Sequence, residues 1–129
     1  MAYAIEFGDG PFEAVVTLSG RTTFAEIGEN DARLFADPRF QTGMNLLYDL
    51  SRLEPTGQGS GEDVRAMAHR DSRPETFQRP GAIAIVAPND AVYGVARMWL
   101  VLIDEKVAAR TTVVRTHAEA YDWLAAAGR

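Results

Sequence analysis

Few residues in this chain are of types that do chemistry, and their spacing argues against most of it. There are two histidines, His69 and His117, and no cysteine among 129 residues. Without cysteine there is no thiol nucleophile, no disulfide, no thiolate zinc site and no iron–sulfur cluster. The histidines are far apart and have neither HxH nor HxxxH spacing. No metal site is expected, and solvated or cap-adjacent imidazoles are the better reading. Ser19, Ser51, Ser60 and Ser72 lie in no GxSxG elbow, so nothing favours a Ser-His-Asp triad. His69-Arg70-Asp71 spells the opening of a kinase catalytic loop, but the chain is too short for a kinase and the triplet falls on a helix; we read it as coincidence. Gly57, Gly59 and Gly61 precede a helix and could cradle a phosphate, yet they match neither a P-loop nor GxGxxG. A loop is expected there, and no enzyme activity, cofactor or metal.

The net charge of −5 argues against nucleic acid as a partner, because phosphate binding needs a basic face. Apolar residues at 47% and charged residues at 24% give the balance of one globular domain over 1–129. Met1 to Phe7 has no basic segment and no long apolar run, so no signal peptide is expected. The longest apolar stretch, Ala91 to Ile103, is broken by Tyr93-Gly94 and Arg97 and is too short to span a bilayer. The expected location is cytoplasmic. Lys106 is the one lysine against many arginines, and alanine is abundant, which suggests a GC-rich bacterial genome.

Around these residues the hydrophobic periodicity sets out the elements. Tyr3, Ile5 and Phe7 alternate, then Phe12, Ala14, Val16 and Leu18; with the turn Gly8 to Pro11 this predicts an antiparallel hairpin ended by Gly20. Thr23 and Glu26 form a capping box, and Phe24, Ile27, Leu34 and Phe35 share a helical face that stops before Asp37-Pro38. Asn45 to Leu50 is a short strand. Ser60 to Asp63 reads as a second capping box, opening a helix to about Ser72. Ala82 to Val86 is apolar at both parities, as a central parallel strand covered on both faces requires. Pro88-Asn89-Asp90 starts a third helix to about Glu105, Thr112 to Arg115 is a last strand, and Thr116 to Glu119 caps a final helix through Tyr121, Trp123, Leu124 and Ala127. The order β-β-α-β-α-β-α-β-α predicts an α/β fold with a mixed, mostly parallel five-stranded sheet and four helices.

Ligands of open α/β sheets meet the carboxyl ends of the parallel strands. Those ends carry Asp49 and Ser51, the loop to Ser60 and Gly61, and Asn89, Asp90 and Tyr93 at the next helix start. These residues are the candidate partner or ligand surface. Ser60 could accept a phosphate at a helix N-terminus, although an N-cap role accounts for it. The third helix carries more apolar surface than a sheet needs. Val92, Val95, Ala96, Trp99, Leu102 and Ile103 face the sheet, which leaves Met98 and Val101 for a homodimer face or a pocket wall.

The element order resembles a STAS domain, the fold of bacterial anti-sigma-factor antagonists. More closely, the chain resembles the SpoIIAA-like (STAS/CRAL-TRIO-like) family of short bacterial proteins. The resemblance runs through Asp37-Pro38-Arg39-Phe40, Leu47-Tyr48-Asp49-Leu50, Glu62-Asp63-Val64, Ala84 to Pro88, Val92 to Met98 and Ala120 to Leu124. It implies a non-enzymatic module that binds a protein partner in a regulatory setting, or alternatively a lipid or other apolar small molecule. Asp49-Leu50-Ser51 matches the start of the antagonists' phosphorylation motif. Gln58-Gly59 stands where that motif has Asp-Ser, and the loop is about one residue longer.

Overall fold

A computed structural model describes residues 2–55 and 60–126. In chain order it contains β1 (Ala2–Phe7), β2 (Ala14–Arg21), α1 (Phe24–Ala36), β3 (Leu46–Glu54), α2 (Gly61–Asp71), β4 (Ala82–Val86), α3 (Asp90–Asp104), β5 (Arg110–Val114) and α4 (His117–Ala126). The strands form one five-stranded sheet in the order β1-β2-β3-β4-β5. β1 and β2 are antiparallel and the remaining pairs are parallel. This is the mixed α/β sheet with four helices that the element order predicts.

Each parallel strand is laid beside the one before it, always in the same direction. Right-handed crossovers then put every connecting helix on one face. Accordingly Leu34 and Phe35 of α1, Val64 and Ala68 of α2, and Trp99 and Ile103 of α3 share one core with Val16, Leu46, Tyr48, Ile83 and Ile85 of the sheet. α4, which follows β5, covers the other face through Ala120, Trp123 and Leu124 against Leu47, Ala84 and Val86. β4 is buried at all five positions, as a central strand covered on both sides must be.

Local chemistry sets the helix ends. Thr23 and Glu26 make a reciprocal capping box at α1, and Asp37 before Pro38 is extended and ends it. Ser60 caps α2 by accepting from the Asp63 N–H, without the return bond of a full box. At α4 the Thr116 hydroxyl accepts from the Glu119 N–H, and the Glu119 carboxylate turns back to the Arg115 N–H.

Three expectations need correction. β3 runs on past Leu50 to Glu54, which pairs with Arg21 of β2, although the antiparallel hairpin ladder ends at Ala2–Ser19, just before Gly20 at φ 73°, as expected. Phe12 does not share a face with Ala14, Val16 and Leu18. It precedes β2 in a bend, where strand parity does not apply, and packs edge-on against Tyr121 of α4 with centroids 5.3 Å apart. β5 lies two residues earlier than expected at its start, at Arg110. Ala127 lies outside the described residues.

Candidate functional site

The helices on the three-helix face do not fill the space above the carboxyl ends of β2, β3 and β4. They leave a cavity of about 590 Å³, within the roughly 300–1,000 Å³ typical of small-molecule sites. Leu18, Tyr48 and Ile85 form its floor on the sheet, Phe24 and Ile27 of α1 one wall, and Val92, Val95, Ala96 and Trp99 of α3 the opposite wall. Met67 of α2 and Phe77 complete the apolar lining. Exposed Glu54, Pro55, Ser60 and Ala91 stand at the rim.

A bulge widens the apolar lining at β3. Between the pairs Thr17–Asp49 and Ser19–Arg52 the register advances two residues on β2 and three on β3. The extra residue reverses the side-chain parity. Leu50 inside the bulge and Leu53 beyond it both reach the cavity.

The inner end of the cavity is polar. Asp31 of α1 is 3% exposed, and its Oδ1 accepts from both Tyr3 and Tyr48, each hydroxyl at 2.5 Å. Burial pushes the Asp31 carboxyl up to about 7, although both tyrosine bonds pull it down and nearby Asp71 adds to the rise. The Tyr3 and Tyr48 hydroxyls are themselves pushed up, first by burial and then by the Asp31 charge. Asp71 of α2 is 4% exposed and accepts from Arg70 Nε and Trp99 Nε1, both at 2.9 Å. Burial raises it too, against the pull of Arg70 and Trp99. Arg70 also donates to the Phe24 carbonyl at 2.9 Å, which ties α2 to the first turn of α1. Two buried polar atoms have no partner among the described residues, Thr22 Oγ1 in the cavity wall and Arg70 Nη2.

The residues singled out from the sequence do not form one cluster. Ser60 reaches the rim and Gly61 opens α2 beside it. Asp49 points to the opposite face of the sheet, where its carboxylate meets His117 Nε2 at 2.9 Å. Burial would raise this carboxyl, but bonds to Ser51 and the contact with His117 leave it below the usual range. Ser51 is exposed. Asn89 caps α3, accepting from the Ala91 and Val92 N–H groups. Asp90 pairs with Arg115 at 2.6 Å, and the same guanidinium lies 3.8 Å from the Tyr93 ring centroid. Met98 and Val101 are 40% and 56% exposed and border a shallow groove with Gly61, Arg65, Arg97 and Leu102, apart from the cavity. The α3 residues that do wall the cavity belong to the stripe expected to face the sheet. Gly57 and Gly59 lie outside the described residues.

Periodicity alone passed over the polar end, although it carried a signal. Asp31 interrupts the apolar face Phe24, Ile27, Leu34 of α1, and Asp71 extends the face Val64, Met67, Ala68 of α2. A carboxylate in an apolar helical stripe must find buried donors, which identifies it for inspection. Arg70-Asp71, dismissed as a kinase-like coincidence, is an ion pair of this network. Among the described residues, no cluster of three or more His, Asp or Glu side chains could hold a metal. No helix there is long and apolar enough to cross a membrane.

No protein-family model and no curated protein matches the chain. Among solved structures it is similar to an uncharacterised protein of the DUF3478 family, with a SpoIIAA-like fold, from Shewanella loihica PV-4. The identity is 15%, the TM-score 0.57, and the match covers 95% of this chain and 92% of the other. With its mixed sheet, N-terminal hairpin and four helices, the chain has the SpoIIAA-like fold that its sequence resembles.

Proposed function

We propose that this chain is a non-enzymatic binding module whose cavity holds an apolar small molecule. The observation that carries the reading is the cavity of about 590 Å³, walled by leucine, isoleucine, valine, phenylalanine and tryptophan side chains at the carboxyl ends of the parallel strands. Emptying such a space of water and filling it with hydrocarbon is favourable at roughly 25 cal/mol per Å² of apolar surface buried. A binding role is favoured over catalysis because the lining is mostly apolar and the chief donors at its inner end are spent on two buried carboxyl groups. Both tyrosine hydroxyls serve Asp31, while Arg70 and Trp99 serve Asp71.

The test is native mass spectrometry of the purified protein, followed by titration with an environment-sensitive apolar fluorophore. A retained or saturable apolar ligand is expected. Val95→Phe, which thrusts a ring into the cavity from a half-buried wall position, should abolish fluorophore binding with an unchanged circular dichroism spectrum. Binding that survives this variant undiminished would place the fluorophore elsewhere.

A second reading, association with a protein, is favoured by the exposed Met98 and Val101 on the outer side of α3. We propose that this strip joins two copies of the chain. Ser60, exposed at the cavity rim, would then lie where a regulatory partner could sense the bound ligand.

A further inference from the structure

The polar end of the cavity is built to accept hydrogen bonds and to refuse negative charge. Two carboxyl groups, Asp31 and Asp71, line it, and exposed Glu54 adds a third at the rim. The nearest buried cation, Arg70, is not part of the lining; Asp71 and the Phe24 carbonyl engage its Nε and Nη1, and its buried Nη2 has no partner among the described residues. Asp31 presents a partly used carboxyl. Both tyrosines donate to Oδ1, and among the described residues none donates to Oδ2. Thr22, 4% exposed, also belongs to the lining and has a hydroxyl with no partner among the described residues. A carboxyl with an oxygen to spare at the end of an apolar cavity favours a hydrogen-bond donor on whatever fills the space.

Resting on the apolar-ligand reading above, we infer that the cavity selects molecules with an apolar body and an uncharged hydroxyl end that donates to Asp31, and rejects the same body ending in a carboxylate. A hydroxyl can give its proton to the Asp31 carboxylate, which lines the cavity. A carboxylate can only accept, and it would face a second carboxylate across a low-dielectric site, where like charges repel strongly. The groups facing Asp31 are Tyr3 from β1, Tyr48 from β3, and Arg70 and Asp71 from α2, with neutral Trp99 on α3 beyond them. Selection therefore depends on the charge of Asp31 and should weaken when Asp31 takes up a proton.

The experiment is competition of 1-decanol and of decanoate against a bound apolar fluorophore, at pH 8 and at pH 6. The expected result at pH 8 is binding of decanol tighter by about tenfold or more, the worth of one hydrogen bond to a charged group. The preference should shrink at pH 6, where decanoate is still ionised, and in Asp31→Asn at pH 8. The pH comparison needs only the unaltered protein, so it stands even if Asp31→Asn does not fold. Equal binding of the two probes, or a preference for decanoate, overturns the inference while leaving the cavity reading intact. Failure of the fluorophore and both probes to bind overturns the cavity reading itself, and the inference with it.

Discussion

Arg70 crosses α1 at Gly28 so closely that a Cβ built on Gly28 would lie 2.2 Å from Arg70 Nη1. The glycine is there for the guanidinium, which ties the two helices together and partners buried Asp71. Alanine in a helix interior is ordinarily better than glycine by about 1 kcal/mol. Here Gly28→Ala should instead lower stability by about 1–3 kcal/mol, because it displaces Arg70 and leaves Asp71 without its cation. In an Arg70→Ala background the sign should reverse, and Gly28→Ala should then stabilise by about 1 kcal/mol. Urea denaturation of the four proteins of this cycle measures both effects.

Stability should fall as pH rises from about 4 to about 7. The Asp31 carboxyl lies near 7 in the fold against an ordinary 3.8, so between these values the folded state holds a proton that the unfolded chain has released. The stabilising contribution is present below the unfolded value and is lost as the pH rises through the folded one. Asp71, also raised, adds a slope of the same sign. Asp31→Asn should flatten the decline without abolishing it. Urea midpoints at pH 5 and pH 8 provide the comparison, and a wild-type midpoint that rises between them would contradict the assignment.

Ser60 holds the Asp63 N–H at the start of α2 from an exposed position. Ser60→Ala should cost about 1 kcal/mol, whereas Ser60→Asp should be nearly neutral because aspartate caps as well as serine does. Fluorophore binding should persist in both variants. Loss of a partner in a well-folded Ser60→Asp protein would show that a phosphate at Ser60 acts as a switch.

Val101, 56% exposed, contributes little to the fold of one copy. Sedimentation of the wild type at high micromolar concentration is expected to show a dimer, and Val101→Asp a monomer of unchanged stability. A wild-type monomer would remove α3 as an interface.

The elements were legible because their signals are local. Thr23 and Glu26, Asp37-Pro38, and the double-sided apolar run Ala82 to Val86 each act within one turn or one strand, and the structure has them where the sequence puts them. Phe12 was misplaced because its contact with Tyr121 depends on a bend that parity cannot register.

By itself, then, the sequence determined the element order, the mixed sheet and the interior, doubly covered place of β4, all consequences of periodicity, capping and crossover handedness. Only the tertiary structure decided what lines the cavity at the carboxyl ends of the strands. Asp31, Tyr3 and Tyr48 come from three elements separated by 28 and 17 residues, and Asp71 meets Trp99 across another 28. No pattern along the chain records such meetings, because they are set by how the helices cross the sheet. The same is true of the cavity, which exists because packed helices and a bulged strand leave space that no single element encloses.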